Sequence, residues 1–139
     1  MRVFLDANVL FSAAKSDGAV RLLLRLLVEQ GHRCCADAYV VAEARRNLHA
    51  KGAEALHVLD ALLAHVELAS AQPRAAADDT ALAWLPDKDR PVLAAAIRLG
   101  CDALVTGDRT HFGQGYGRRF GGVTIHSPRS LAQAVLGAR

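Results

Sequence analysis

Val3-Phe4-Leu5-Asp6-Ala7-Asn8 is an apolar run that ends on a carboxylate close to the start of the chain. A second run of the same kind, Leu104-Val105-Thr106-Gly107-Asp108, lies far along the sequence. In an open parallel sheet, ligands bind beyond the carboxyl ends of the strands, so two central strands of this kind bring Asp6 and Asp108 to one crevice. Carboxylates that approach each other need a counter-charge. The pair therefore predicts a divalent-cation site and phosphate chemistry.

The composition of the 139-residue chain is typical of one globular domain. Hydrophobic residues make up 52% and charged residues 22%, which is enough apolar surface to form a core. A formal net charge of +3 permits an anionic partner such as RNA but does not require one. We find no internal repeat or linker, and we predict a single domain over residues 1–139.

The cysteines and the apolar runs indicate the compartment. Cys34, Cys35 and Cys101 have neither disulfide nor metal-site spacing. The first residues lack the shape of a signal peptide, and Arg21 and Arg25 interrupt the longest apolar run well short of membrane length. We expect a protein of the reducing cytoplasm with no membrane partner.

Strand-like runs alternate with helical patterns along the chain. Strands are predicted over 2–5, 32–36, 66–68, 103–106 and 123–126. Helices are predicted over 8–14, 18–30, 38–49, 53–64, 75–85 and 89–100, with a last one from 127 or 128 and a glycine-rich loop over 113–122. This alternation predicts an α/β protein, a three-layer α/β/α sandwich whose central five-stranded sheet is mainly parallel.

Four acids follow or neighbour the predicted strands, and each has an ordinary structural interpretation. Asp6 can cap the next helix, and Asp108 can be a turn residue after Gly107. Glu43 lies in a helix, where a glutamate is usually solvated. Asp89 stands where an N-cap residue is favoured, and Asp87 competes with it for either role.

The combination is more specific than its members, and it resembles the PIN-domain family of metal-dependent ribonucleases. The resemblance covers essentially the whole chain and rests on four stretches: Phe4-Leu5-Asp6-Ala7-Asn8-Val9-Leu10, Glu43 in its helix, Asp89-Arg90-Pro91-Val92-Leu93-Ala94-Ala95-Ala96 and Val105-Thr106-Gly107-Asp108-Arg109-Thr110-His111-Phe112. It implies a PIN-like fold with a metal-binding acidic crevice. Many small bacterial members that look like this chain are toxins of toxin–antitoxin pairs, which implies an antitoxin partner.

Carried onto this sequence, the resemblance implies a catalytic set of four acids supported by two polar residues. Mg²⁺ or Mn²⁺ would be the cofactor, because hard oxygen ligands hold an ion that neutralises the charge of phosphodiester cleavage. Asp6 and Asp108 would bind the metal directly, and Asp89 would bind it directly or through water. Glu43 would orient or deprotonate the attacking water. Asn8 and Thr106 would hold the carboxylates by hydrogen bonds.

Several basic residues are candidates for binding RNA phosphates, although each is also ordinary surface charge. They are Arg45, Arg46, Arg109, Arg118 and Arg119. His111 follows Asp108 by three residues, close enough to approach the site, although a histidine in such a position is more often a loop residue. The leucine-rich helix over 18–30 has an apolar face wide enough to be buried on more than one side, which favours a homodimer or an inhibitory partner.

These observations together predict a metal-dependent endoribonuclease that hydrolyses RNA phosphodiester bonds, the toxin of a toxin–antitoxin pair. Two alternatives stay open. A metal-dependent phosphatase or phosphoacceptor domain also gathers acids at strand ends. Phosphatases of the haloacid-dehalogenase type, however, need a second aspartate where Asn8 stands, and no lysine accompanies the Thr106-Gly107-Asp108 string. The second alternative is a PIN module that binds RNA without cleaving it.

Overall fold

A mainly parallel sheet forms the centre of the molecule. The computed structural model describes residues 1–70 and 80–137. Six strands are found in that part of the chain: β1 (Arg2–Leu5), β2 (Arg33–Asp37), β3 (Val66–Ala69), β4 (Ala103–Val105), β5 (Arg119–Phe120) and β6 (Val123–His126). Their order across the sheet is β3-β2-β1-β4-β6-β5, and every pairing except that of β5 with β6 is parallel.

Helices cover both faces of this sheet. In the described ranges they are α1 (Ala7–Lys15), α2 (Ala19–Glu29), α3 (Ala38–Lys51), α4 (Leu56–Leu63), α5 (Arg90–Arg98), α6 (Arg109–Phe112) and α7 (Pro128–Val135). Helix α1 packs against α2, α3 and α4, and α7 packs against α2. The crossover from β3 to β4 runs back across the sheet. Right-handed connections therefore place α5 on the opposite face from α1 to α4.

The predicted three-layer α/β/α arrangement is confirmed, with one more strand than the five predicted from sequence. The extra strand is β5, which lies inside the predicted glycine-rich loop and pairs antiparallel with β6. Gly121 and Gly122 connect the two strands with φ of 56° and 87°. Two consecutive positive φ angles belong to the tight hairpin turn that suits the twist of a sheet, and glycine adopts them without strain.

Two predicted helices differ from the structure. The segment predicted as a helix over 53–64 begins with a 3₁₀ turn at Ala53–Ala55 before α4 starts. Most of the helix predicted over 75–85 lies outside the described residues, and within them Thr80–Leu82 forms one 3₁₀ turn. Helix α6, which follows Asp108, is an element to which sequence reasoning assigned no structure.

The core lies on both sides of the central strands and is built mainly from aliphatic side chains. Phe4 on β1, Leu104 on β4 and Ile125 on β6 are completely buried. The three cysteines of the sequence are buried free thiols, and burial raises the pKa of Cys34 to about 11. Within the described ranges, no helix has both the length and the hydropathy that a membrane crossing requires.

Candidate metal centre

The central pair of strands brings Asp6 next to Thr106. Leu5 on β1 pairs with Val105 on β4, and the backbone N–H of Asp6 donates to the carbonyl of Val105 at 3.1 Å. Both chains then leave the sheet at the same edge, because the strands are parallel. The residues that follow β1 and β4 therefore share one crevice.

The carboxylate of Asp6 accepts three hydrogen bonds. The hydroxyl of Thr106 donates to Oδ2 at 2.8 Å, and Nδ2 of Asn8 donates to the same oxygen at 3.1 Å. The backbone N–H of Ala7 donates to Oδ1 at 2.7 Å, so Asp6 also caps α1. Asn8 and Thr106 thus occupy the contacts that sequence reasoning assigned to supporting residues.

The same two polar side chains hold the loop that carries Asp108. Oδ1 of Asn8 accepts from the backbone N–H of Gly107 at 2.7 Å, and Oγ1 of Thr106 accepts from the backbone N–H of Asp108 at 3.1 Å. The loops after β1 and β4 are therefore joined by a hydrogen-bond network that fixes Asp6 and Asp108 relative to each other.

Burial controls the protonation of Asp6, which is only 6% exposed. The pKa of Asp6 is raised to about 6, mainly by burial; the hydrogen bonds from Thr106 and Ala7 oppose the rise, and the charges of Glu43 and Asp89 add to it. Like charges that approach each other favour the protonated form of a carboxyl. A cation would relieve both the desolvation and the repulsion.

Asp89 precedes α5, but its side chain makes no capping hydrogen bond. Instead, the carboxylate is buried, and its Oδ2 lies 3.1 Å from Nδ1 of His111. That contact is not an aligned hydrogen bond, and Oδ2 has no hydrogen-bond partner among the described residues. The imidazole nitrogen is directed instead at Oδ2 of Asp108, 2.8 Å away. Asp87 is exposed and pairs with Arg90 at 2.7 Å, so the structure places Asp89 in the crevice and Asp87 at the surface.

Glu43 approaches the crevice from α3. It lines a cleft of about 380 Å³ together with Asn8, Asp108 and Asn47. Asn47 lies one helical turn after Glu43, on the same side of α3, and sequence reasoning gave it no role. The cleft therefore brings two of the predicted acids together, Glu43 and Asp108. Asp6 is joined to the Asp108 loop through Thr106, and Asp89 lies beside Asp108 and His111.

The crevice fits a divalent cation. Asp89, Asp108 and His111 each offer one ligand atom, and these atoms lie within 4.8 Å of one another. A buried carboxylate oxygen without a hydrogen bond is costly, and a cation is the partner that such an oxygen lacks. Asp6 is not part of this close group, because both of its oxygens accept hydrogen bonds from the protein.

His111 is the site residue that sequence reasoning assigned to a loop. It lies in α6, and its backbone N–H donates to Oδ1 of Asp108 at 3.1 Å while its ring contacts Oδ2. Residues three apart on a helix lie on the same face. The Asp108-x-x-His111 spacing was therefore a usable signal, provided that a helix was predicted directly after Asp108.

The five predicted RNA-binding arginines are spread over the surface. Arg109 follows Asp108 directly and is exposed. Arg118 lies over the ring of Phe120, 5.2 Å from its centroid. Arg119 is on β5 and, like Arg46 on α3, is exposed. Arg45 pairs with Asp60 of α4 at 2.7 Å, which directs its charge away from the crevice.

The chain matches a known protein family but matches none of the curated protein sequences. A family model described as the PIN domain matches residues 2–110 of the chain.

Solved structures share the fold at low sequence identity. The chain is similar to VapBC2 from Rickettsia felis bound to a DNA fragment from their promoter, with a TM-score of 0.66 and 18% identity over 91% of this chain and 98% of the other. DNA-bound VapBC from Salmonella typhimurium gives a TM-score of 0.66 and 19% identity over 92% and 98% of the two chains. VapBC-1 from nontypeable Haemophilus influenzae gives 0.62 and 14% over 93% and 99%.

Proposed function

This chain belongs to the PIN-domain family, and we propose that it is a metal-dependent endoribonuclease that acts as the toxin of a toxin–antitoxin pair. The observation that carries the proposal is the buried Oδ2 of Asp89. Within residues 1–70 and 80–137 it has no hydrogen-bond partner, and it lies beside Asp108 and His111. A bound cation would offset the cost of burying these neighbouring carboxylates.

Asp89 and Asp108 are the acids that would hold the cation, and Asp6 lies immediately behind them. A bound Mg²⁺ or Mn²⁺ supplies positive charge against the phosphate oxygens and makes a coordinated water more acidic. Everything else comes from the chain itself. Glu43, which lines the cleft beside Asp108, is positioned to accept a proton from the attacking water. Asn8 and Thr106 hold Asp6 in place, and Arg109 offers a charge to the RNA backbone.

The antitoxin part of the proposal is supported by the solved structures that share this fold. All three described above contain VapBC complexes. We infer that this chain also pairs with an antitoxin protein. Coexpression with the product of a neighbouring small gene, followed by copurification and loss of ribonuclease activity, tests this inference directly.

Helix α2 leaves an apolar surface for a partner or for a second copy of this chain. Leu23, Leu24 and Leu27 are buried, whereas Leu22 and Val28 are 45% and 39% exposed. A helix with so wide an apolar face can be buried on more than one side, and we propose that the chain forms a homodimer through α2. Light scattering coupled to size exclusion tests it, and a strict monomer at high protein concentration would rule it out.

Cleavage of a structured and an unstructured RNA with Mg²⁺ or Mn²⁺ tests the ribonuclease proposal. We expect cleavage that EDTA abolishes and that Asp6→Asn, Glu43→Gln and Asp108→Asn each reduce strongly. Asp87→Asn serves as the matched control because Asp87 is a surface acid two residues from Asp89.

The alternatives give different results in the same assay. RNA that binds but stays intact under all metal conditions would show a non-catalytic RNA-binding module. Hydrolysis of a small phosphate monoester without cleavage of RNA would show a phosphatase. Either result would replace the proposed activity.

A further inference from the structure

We propose that Nδ1 of His111 is a metal ligand, and that this nitrogen makes the crevice select a first-row transition ion such as Mn²⁺ over Mg²⁺. The inference rests on the proposed function only in that it needs a cation in the acidic crevice. It adds a nitrogen donor to the carboxylates that sequence reasoning assigned, and with it a preference between ions.

The distances support coordination by this nitrogen. Nδ1 of His111 lies 2.8 Å from Oδ2 of Asp108 and 3.1 Å from Oδ2 of Asp89. Adjacent ligands of an octahedral ion with bonds of about 2.1 Å are about 3 Å apart. Nδ1 is therefore spaced from each carboxylate oxygen like a neighbouring ligand of one ion, and all three donor atoms lie within 4.8 Å of one another.

Two contacts of α6 hold His111 in place: a backbone hydrogen bond to Asp108 and the packing of the next residue, Phe112. The backbone N–H of His111 donates to Oδ1 of Asp108 at 3.1 Å. The next residue, Phe112, is completely buried and meets Trp84 in an edge-on contact with ring centroids 6.4 Å apart. This anchor fixes α6 and keeps the His111 ring over the two carboxylates, so little ordering is left for a bound ion to impose.

A second observation points to an ion at this position. Oδ2 of Asp89 is buried and has no hydrogen-bond partner among the described residues, although the imidazole nitrogen is 3.1 Å away. The nitrogen is aligned with Asp108 and not with Asp89. A cation placed among the three donor atoms would bind both carboxylates and the nitrogen. A single N–H on the imidazole donates to one carboxylate and leaves the other without a partner.

Ligand chemistry then determines the preferred ion. Mg²⁺ is a hard cation that is usually held by carboxylates, phosphates and water. Imidazole binds first-row transition ions more strongly than it binds Mg²⁺, and Mn²⁺ is the weakest binder of that series, so the preference for Mn²⁺ over Mg²⁺ is the smallest that this ligand gives. A site with two carboxylates and one imidazole therefore discriminates against Mg²⁺, whereas a site of carboxylates alone discriminates much less.

Competition between Mn²⁺ and Mg²⁺ on the full chain tests the preference. Free Mn²⁺ is measured by its EPR signal in the wild type, in His111→Asn and in His57→Asn, which changes an exposed histidine on α4. Asparagine keeps an oxygen donor of similar reach. We expect His111→Asn to weaken Mn²⁺ binding roughly tenfold while Mg²⁺ binding changes little. His57→Asn should match the wild type. Equal Mn²⁺-to-Mg²⁺ selectivity in His111→Asn and the wild type would overturn the proposal.

Pulsed EPR of the Mn²⁺-loaded wild type tests the ligand itself and does not depend on how any variant folds. Coupling to one imidazole nitrogen is expected, and His111→Asn should remove it. RNA cleavage with Mn²⁺ but without nitrogen coupling would overturn the ligand assignment and leave the ribonuclease proposal standing. Nitrogen coupling without cleavage of any RNA would support the ligand and overturn the ribonuclease proposal.

Discussion

Oγ1 of Thr106 donates a 2.8 Å hydrogen bond to Oδ2 of Asp6, across a sequence separation of 100 residues. Thr106 is completely buried, and the same hydroxyl accepts the backbone N–H of Asp108 at 3.1 Å. One small side chain therefore positions two of the acids that border the crevice. Because the hydroxyl both donates and accepts, a methyl group of the same size cannot replace it.

Thr106→Val should lower the stability of the protein and its ribonuclease activity together. The substitution keeps the shape but leaves the backbone N–H of Asp108 without its partner, at a cost of about 1–3 kcal/mol. It also removes a hydrogen bond that lowers the pKa of Asp6, so more of that carboxyl is protonated at neutral pH. Urea unfolding and RNA cleavage rates measure the two effects. Thr106→Ser keeps the hydroxyl and should retain most of both properties, and a fully active Thr106→Val would contradict this role.

The stability of the metal-free protein should fall as the pH rises from about 4 to about 6. The folded pKa of Asp6 is raised to about 6, above the ordinary value of 3.8, so the folded state holds the proton more tightly than the unfolded state. The contribution of Asp6 to the free energy of unfolding is complete below the pKa of its unfolded state. It is lost as the pH rises through the pKa of its folded state. A difference of two pKa units corresponds to roughly 3 kcal/mol.

Urea unfolding in EDTA over this pH range measures that slope. Asp6→Asn does not titrate and should reduce the slope, leaving the part due to Asp37, whose pKa burial also raises. Asp87→Asn, which changes an exposed acid, should follow the wild type. Identical pH profiles for Asp6→Asn and the wild type would show that Asp6 has no unusual protonation.

Metal binding should stabilise the wild type through Asp89 and not through Asp87. At a Mn²⁺ concentration a hundredfold above Kd, the free energy of unfolding should increase by about 2.7 kcal/mol. Asp89→Asn weakens the site and should remove most of this increase, because Asp89 is buried with its Oδ2 facing the crevice. Asp87→Asn should keep it. Thermal unfolding with and without Mn²⁺ distinguishes the two acids, and a full response in Asp89→Asn would exclude it as a ligand.

Gly115→Ala should destabilise the segment that anchors α6. A Cβ at this position would lie 2.4 Å from Cη2 of Trp84 and 3.1 Å from Cδ1 of Ile125. The indole would have to move from its contacts with Phe112 and Phe120, and overpacking of this kind costs about 1–3 kcal/mol.

Gly113→Ala is the matched control for that substitution. Gly113 is in the same 3₁₀ turn, and a Cβ there would come no closer than 4.0 Å to Arg109. Chemical denaturation should show a loss of stability for Gly115→Ala alone. Equal stability of the two variants would mean that the indole moves without cost.

Arg109→Ala should weaken RNA binding and flatten its salt dependence. Arg109 is exposed and directly follows Asp108, so its charge lies at the rim of the crevice. Loss of one phosphate contact to a single strand reduces the salt slope by about 0.7. Arg45→Ala should change the slope little, because that guanidinium pairs with Asp60. Both arginine substitutions are made together with Asp6→Asn, so that the RNA stays uncleaved. RNA binding is then measured at several salt concentrations.

Most of the fold could be predicted from short-range patterns. The bounds of β1 and β6 agree with the prediction, and those of the three other predicted strands agree within a residue or two. Apolar runs that end at a polar residue are local signals, because a central parallel strand is buried on both faces. Strand β5 was missed because two residues between glycines carry no hydrophobic pattern, and only the hairpin with β6 makes them a strand.

The acidic character of the crevice follows from the sequence itself, since Asp6 and Asp108 end strands that a parallel sheet must bring to one edge. Tertiary packing decided which neighbouring residues join them. Asp87 and Asp89 have the same side chain two positions apart, and burial directed one to the crevice and left the other in solvent. His111 joins the site because the turn after Asp108 is helical, with Asp108 as its N-cap and Phe112 buried in the core. The orientation and burial of these side chains depend on contacts between segments that are distant in sequence, and a local sequence pattern carries no information about such contacts.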